Sequence, residues 1–307
     1  MENEKPKIIF FGTENFAAGI LEALIDSADF DIELVITQPD RPVGRKQELQ
    51  KSPVKIVAEK YNLKIDQPEK LKEYKLPTNI DLNIVCEYGL IIPKQIVETP
   101  KFGSINVHPS LLPKYRGASP IQSVLINGES ETGVSIMVMD EKMDHGPILL
   151  QNTLKIDPTD TYTTLSAKLL KMAILGLLEA TPKYLKGTIK PQIQDETKVT
   201  FCTMFTKESG RIDWNKTATE IYNLGRGLEI WPGVWTTFKD KRIKLINIKP
   251  TTEKIPTGKI ILEKYKILIG CGQGALEIIT LQPEGKNIMT ALAWVNGIRD
   301  LDTAKMV

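Results

Sequence analysis

Asn106 and His108 stand two residues apart in the apolar run Ser104–His108, and a carboxylate, Asp144, follows further along. In a β-strand, residues i and i+2 project from one face, so the amide and the imidazole would stand side by side. A carboxylate carried in by a later loop would complete a cluster suited to acyl transfer. One group donates a hydrogen bond to an oxyanion, the imidazole supplies or moves a proton, and the acid orients the imidazole. The chain has only two histidines, and both lie within Ser104–Pro147. A lone histidine in an apolar strand is ordinarily a satisfied structural residue. Here Asn106 shares its face and Pro109-Ser110 closes the strand just after it, which gives His108 a catalytic reading. His145 receives no role.

A second cluster is Thr37-Gln-Pro-Asp-Arg-Pro-Val-Gly-Arg-Lys46. Two prolines, a glycine and the cations Arg41, Arg45 and Lys46 predict an irregular, stiffened loop. Cationic side chains on such a loop suit a phosphate-rich substrate.

Both clusters need elements to hold them. Strand-like runs at Lys7–Phe11, Ile32–Thr37, Leu82–Cys86, Ser104–His108, Val134–Met139 and Ile148–Ile156 alternate with helical signals. The helical segments are Phe16–Ile25, Val54–Tyr61 behind Ser52-Pro53, Ile121–Ile126 behind Ser119-Pro120, and Tyr162–Leu185. Each Ser-Pro pair reads as an N-cap followed by proline in the first helical position. This alternation predicts an α/β fold: a Rossmann-like, mostly parallel sheet with helices on both faces. Ligands in such folds bind beyond the carboxyl ends of the strands, where Asn106 and His108 would lie. The first strand-to-helix turn, Phe11-Gly-Thr-Glu-Asn-Phe16, has one glycine where a dinucleotide fingerprint needs three, so a nicotinamide or flavin enzyme is disfavoured.

Beyond Gly187 and Pro191 the texture changes. The polar stretch Gln192–Gly210 reads as a linker, and Thr217-x-x-Glu220 as a capping box opening a short helix. Short β-rich runs follow at Val234–Phe238, Arg242–Ile248, Gly258–Leu262, Lys266–Gly270 and Ala275–Gln282. Their spacing predicts a smaller C-terminal OB-like β-barrel domain. The expected division is a catalytic domain over 1–190, a linker over 191–207, and the barrel over 208–307. From Lys207 onward there are 16 Lys+Arg against 11 Asp+Glu, which leaves 24 against 27 for the preceding part of the 307-residue chain. The nearly neutral whole thus hides a basic C-terminal part, which favours polyanion contact.

Three widely spaced cysteines without a CxxC pair suggest buried free thiols, with neither a disulfide framework nor a thiolate metal site. No apolar run reaches membrane-span length, and the N-terminal residues lack the pattern of a signal peptide, so a cytoplasmic protein is expected.

Taken together, these residues resemble the methionyl-tRNA formyltransferase family along nearly the whole chain. The resemblance rests on Phe11-Gly-Thr-x-x-Phe-Ala17, Thr37-Gln-Pro-Asp-Arg-Pro-x-Gly-Arg45, Ser52-Pro-Val-Lys55 and Tyr88-Gly-Leu-Ile-Ile-Pro93. Its most diagnostic part is Ile105-Asn-Val-His-x-Ser-Leu-Leu-Pro-Lys-Tyr-Arg-Gly-Ala-x-Pro-Ile121. Glu131-Thr-Gly133, Met143-Asp-x-Gly146, Gln194-Asp-Glu-Thr197, Arg211-Ile-Asp-Trp214, Trp231-Pro232 and Leu281-Gln-Pro-x-Gly285 extend it.

The resemblance implies 10-formyltetrahydrofolate as formyl-donor cosubstrate, no metal, and methionyl-initiator-tRNA as acceptor, in a monomer. It assigns Asn106, His108 and Asp144 to catalysis. Ser110, Leu111, Leu112 and Pro113, with Tyr88, Gly89 and Ile91, would bind the folate. Arg41, Arg45 and Lys46 would face the tRNA. A nucleotide-sugar N-formyltransferase using the same donor is the alternative, with the basic loop arguing against it. A one-domain glycinamide ribonucleotide formyltransferase is disfavoured by length. A non-catalytic tRNA-binding protein would not need the Asn106, His108 and Asp144 trio.

Overall fold

The computed structural model describes residues 4–43, 48–298 and 305–307. The chain divides into two compact units. The first gathers the chain up to Pro120 with Glu131–Lys155 and Ser166–Cys202; the second gathers Ile121–Ser130, Ile156–Leu165 and the chain from Thr203. Among the described residues no helix is long and apolar enough to cross a membrane.

The first unit is built on seven strands: β1 (Lys7–Gly12), β2 (Asp31–Ile36), β3 (Ile65–Asp66), β4 (Leu82–Cys86), β5 (Ser104–His108), β6 (Glu131–Val138) and β7 (Ile148–Lys155). They lie in the order β7-β6-β5-β4-β1-β2-β3. β3, β2, β1, β4 and β5 are parallel, whereas β6 and β7 complete the sheet antiparallel. β1 sits at the centre because Ile8, Ile9, Phe10 and Phe11 are apolar on both faces and fully buried. The chain steps from β1 to β2 on one side and later returns to β4 on the other, so the topological switch falls between β1 and β4.

Helices α1 (Asn15–Ser27), α2 (Pro53–Lys60), α3 (Lys94–Glu98), α4 (Pro120–Ile126) and α5 (Tyr162–Leu185) follow. Ser52 caps α2 by accepting a 3.1 Å hydrogen bond from the Lys55 N–H, and Pro53 occupies the first turn as its fixed φ favours. α5 buries Leu169, Ala173, Leu177 and Ala180, one face at helical spacing. α1 meets it closely, since a Cβ at Gly19 would fall 2.6 Å from Leu170 Cδ2.

The second unit holds β8 (Val234–Phe238), β9 (Lys241–Thr251), β10 (Ile260–Glu263), β11 (Lys266–Gly270) and β12 (Ala275–Pro283), ordered β8-β9-β12-β11-β10 and antiparallel throughout. Alternate residues, among them Ile243, Leu245, Ile267, Ile269, Leu276 and Ile278, form one core with α6 (Ala218–Gly227) and α7 (Ala291–Val295). The expected capping box opens α6: Thr217 Oγ1 accepts from the Glu220 N–H at 3.2 Å, and Glu220 Oε2 accepts from the Thr217 N–H at 2.8 Å.

Two expectations need revision. The loop after Thr37 is not wholly irregular, because Arg41–Val43 pairs antiparallel with Glu48–Gln50. Pro42 is tolerated there because this is an isolated two-stranded ribbon, where one missing N–H leaves no inner ladder broken. The polar stretch after Gln192 is also far from a free tether in its first half. The Ile148 and Gln192 N–H and C=O groups bond reciprocally, Gln194 is 5% exposed, and Phe201–Cys202 pairs parallel with Arg116–Gly117. Gln194 is the buried polar residue of this stretch, while Gln192 and Asp195–Lys198 remain exposed.

Gly133 carries a testable consequence. A Cβ there would lie 2.0 Å from the Asn152 carbonyl oxygen on β7 and 2.5 Å from Leu111 Cδ2. Gly133→Ala should therefore lower unfolding free energy by about 1–3 kcal/mol in urea titrations, the usual cost of overpacking; unchanged stability would mean the β6–β7 ladder yields freely.

Candidate active site

Asn106 and His108 lie in the carboxyl half of β5 and share a face, as their spacing predicts. Val85 of β4 and Met137 of β6 flank Asn106, and Ser135 of β6 stands opposite His108. His108 is buried, 4% exposed, and its Nε2 lies 2.9 Å from the Tyr115 carbonyl oxygen. A carbonyl only accepts, so Nε2 carries the proton and Nδ1 is the nitrogen left to exchange one. Nδ1 faces Asp144 Oδ2 at 3.7 Å. The same Oδ2 accepts the Gly117 N–H at 2.8 Å, and Oδ1 accepts from Asn106 Nδ2 at 3.3 Å. The three residues picked from sequence thus converge.

Asp144 reaches this position from a left-handed backbone, φ 49°, a conformation aspartate adopts more readily than most residues. Gln194 stabilises the turn: its Nε2 donates to the carbonyls of Asp144 and Gly146 at 2.9 and 2.8 Å. Its Oε1 accepts from Arg116 Nε and Nη2 at 3.1 and 2.8 Å. Arg116, 3% exposed, also pairs with Glu196 at 2.6 Å, and that pairing holds the Glu196 carboxyl below its ordinary range. His145 turns aside, with Nδ1 2.6 Å from Asp140 Oδ2. Gly117 must be glycine, since its φ is +117° and a Cβ would meet the Cys202 carbonyl oxygen at 2.2 Å. Gln194, Arg116 and the Gly117 N–H were not singled out as site residues from sequence, although two quoted motifs contain them.

Ser110–Pro113 runs beside the trio. Ser110 Oγ donates to the Lys114 carbonyl at 2.7 Å. Ser135 Oγ donates to the Ser110 carbonyl at 2.7 Å and accepts from the Leu112 N–H at 3.1 Å and from Gln151 Nε2 at 2.8 Å. Ser135 and Gln151 therefore fix this segment from the neighbouring strands. Their signal in sequence is weak: polar residues in strand runs with no partner yet visible. Leu112 is buried, while Leu111 and Pro113 are partly exposed.

The segment after β4 is split. The Tyr88 ring is buried, edge-on to Phe11 at 5.4 Å, and burial pushes its hydroxyl up to about 12. Gly89 is exposed at φ +80°, and Ile91 is 92% exposed. The Tyr88 carbonyl accepts from Thr13 Oγ1 at 2.9 Å and from Gln38 Nε2 at 2.7 Å.

In the basic loop, Arg41 is exposed and bonds Gln38 Oε1. Arg45 and Lys46 lie outside the described residues. The base of the loop is tied down: Lys55 Nζ bonds Asp40 and Gln67, each at 2.7 Å, and Gln67 Nε2 donates to the Gln38 carbonyl and to Asp40 at 2.8 Å. The Lys55 hydrogen bond, then Gln67, holds the Asp40 carboxyl below its usual range.

The chain is similar to known proteins over nearly its whole length. The family described as Formyl transferase matches residues 6–181, and Formyl transferase, C-terminal domain, matches 204–299. A methionyl-tRNA formyltransferase of Thermodesulfovibrio yellowstonii is 45% identical over 295 residues, covering 94% of this chain and 95% of its own. One from Caldicellulosiruptor saccharolyticus is 43% identical over 303 residues, covering 95% and 97%. Among solved structures, WlaRD, a sugar 3N-formyl transferase crystallised with dTDP and 5-N-formyl-THF, aligns with a TM-score of 0.68 at 23% identity, over 93% of this chain and all of its own. That likeness is one of fold.

Glu87, at φ 42° between β4 and Tyr88, gives a pH test. Burial, with the Glu14 carboxylate adding, pushes its carboxyl from 4.5 up to about 7. Between those values the native state keeps a proton that the unfolded chain releases, so stability falls as pH rises through this window. Glu87→Gln should remove that decline, up to about 3 kcal/mol, in urea unfolding followed across pH 4.5–8. Parallel declines in both proteins would show that Glu87 is not the group responsible.

Proposed function

Because this chain belongs to the methionyl-tRNA formyltransferase family, we infer that it transfers a formyl group to the free α-amino group of methionyl-initiator-tRNA, giving N-formylmethionyl-tRNA for translation initiation. The observation that carries the reading is the convergence of Asn106 Nδ2, His108 Nδ1 and the Asp144 carboxylate beyond the carboxyl end of β5. The donor is a folate derivative, and the proposed species is 10-formyltetrahydrofolate. The residues suit it: exposed Ile91 and Gly89 and half-buried Leu111 and Pro113 offer apolar and backbone surface at the carboxyl ends of the strands.

The reaction is attack of the neutral amine on the formyl carbon. Asn106 donates to the oxyanion that develops, and His108, protonated at Nδ1, donates as well. The Tyr115 carbonyl keeps Nε2–H oriented, so the exchangeable proton stays on the side of Asp144. Asp144, already holding the Gly117 N–H, accepts the proton of the attacking amine, directly or through one water, and passes it to the departing folate nitrogen. Arg41, Arg45 and Lys46 meet tRNA phosphates, and the basic stretch from Lys207 onward adds polyanion affinity.

His108→Ala should lower kcat by about 10²-fold or more with tRNA binding retained, and Asn106→Ala by roughly 10²–10³-fold. Near-normal turnover in either would remove the trio from the chemistry. Arg45→Ala should reduce kcat/KM for methionyl-tRNA and flatten the salt dependence of tRNA binding, with folate affinity unchanged. Assays with methionyl-tRNA, a nucleotide-linked amino sugar and glycinamide ribonucleotide as acceptors decide the substrate. Faster transfer to the sugar amine would replace this reading with the sugar N-formyltransferase one.

A further inference from the structure

We propose that Gln38 is a positioning residue that links the acceptor loop to the donor segment, so that tRNA and folate each tighten the binding of the other. The proposal rests on the functional reading above. Both ends of the Gln38 amide are engaged: Nε2 donates to the Tyr88 carbonyl at 2.7 Å, and Oε1 accepts from the Arg41 guanidinium. Arg41 begins the exposed ribbon of the basic loop, whereas Tyr88-Gly89 begins the segment offered to folate. The contact with that segment is close. A Cβ at Gly89, whose φ of +80° already favours glycine, would fall 2.4 Å from Gln38 Nε2, so the amide lies close against its α-carbon.

The rest of Gln38 is pinned. Its own carbonyl accepts from Gln67 Nε2 at 2.8 Å, and the preceding Thr37 Oγ1 shares a 2.7 Å hydrogen bond with Ser52 Oγ. The Tyr88 carbonyl has its two lone pairs taken by Gln38 and Thr13, so that peptide has no third partner to turn to. A guanidinium has five N–H donors in a fixed plane. Arg41 uses Nη2 on Gln38 and keeps exposed donors for a phosphate. A phosphate that fixes the guanidinium plane therefore fixes the Gln38 amide, and through it the Tyr88–Gly89 peptide. Linkage is reciprocal, so folate on that peptide must favour the same Arg41 orientation.

The test measures tetrahydrofolate affinity of the full chain with and without saturating deacylated initiator tRNA. In the unmodified protein, tRNA should lower the folate Kd by about 5-fold or more, the lower range of known couplings. Gln38→Glu still accepts from Arg41 but cannot donate to Tyr88. It should keep tRNA affinity within a few-fold while the ratio of folate Kd values falls to one. Gln38→Leu should lose the ratio as well. Arg41→Ala, on an exposed side chain, should weaken tRNA, leave folate alone unaffected, and also bring the ratio to one. A ratio of one in the unmodified protein, or a ratio preserved in both Gln38→Glu and Arg41→Ala, overturns the linkage. Absence of any folate or tRNA binding by the unmodified protein would instead overturn the functional reading.

Discussion

The site depends on a buried cation. The Arg116 guanidinium is taken out of water, and an unpaired charge there would be costly enough to unmake the region around it. Gln194 and Glu196 satisfy it from one side of the chain, and the other end of the Gln194 amide closes the turn that bears Asp144. One amide thus converts the demand of a buried charge into the placement of a carboxylate. Three stretches far apart in sequence, around residues 116, 144 and 194, meet there because each supplies what another lacks.

The imidazole is set by a different device. The Tyr115 carbonyl, at a left-handed residue of φ 60°, accepts from His108 Nε2 and from Cys202 Sγ at 3.4 Å. A main-chain acceptor cannot change protonation state, so it keeps the proton on Nε2 and leaves Nδ1 turned toward Asp144. The imidazole and the carboxylate are therefore each held by main-chain groups on one side and face each other at 3.7 Å on the other.

Much of this was legible in the sequence. Periodicity gave β4, β5, β8, β11 and α5 their observed limits, because each is a dense apolar run or a long amphipathic one bounded by turn residues. The Asn106–His108 pair followed from strand geometry alone. Asp144 could be named on chemistry but not placed, since an aspartate before a glycine-bearing turn has no periodicity to position it. The stretch after Gln192 was misread in part because composition reports polarity without its partner: Gln194 looks like solvent-facing chain until Arg116 is beside it. Arg41–Val43 was hidden for the reverse reason, as proline and glycine mark turns and give no sign that the strands between them pair.

The first compact unit is discontinuous in the chain: it is left at Pro120 and again after Lys155, and it is complete only at Cys202. On a ribosome emitting the chain from its N-terminus, β1 through β5 emerge long before the residues that neutralise Arg116. Until Gln194 and Glu196 appear, the nascent sheet exposes a cation it cannot bury and a turn it cannot close. The order of synthesis thus releases Asn106 and His108 early, while the bonds from Gln194 that close the turn bearing Asp144 become available only once about two-thirds of the polypeptide is out. Domains generally fold as units during synthesis, and here the last segment of the first unit, Ser166–Cys202, is followed directly by the longest segment of the second, from Thr203.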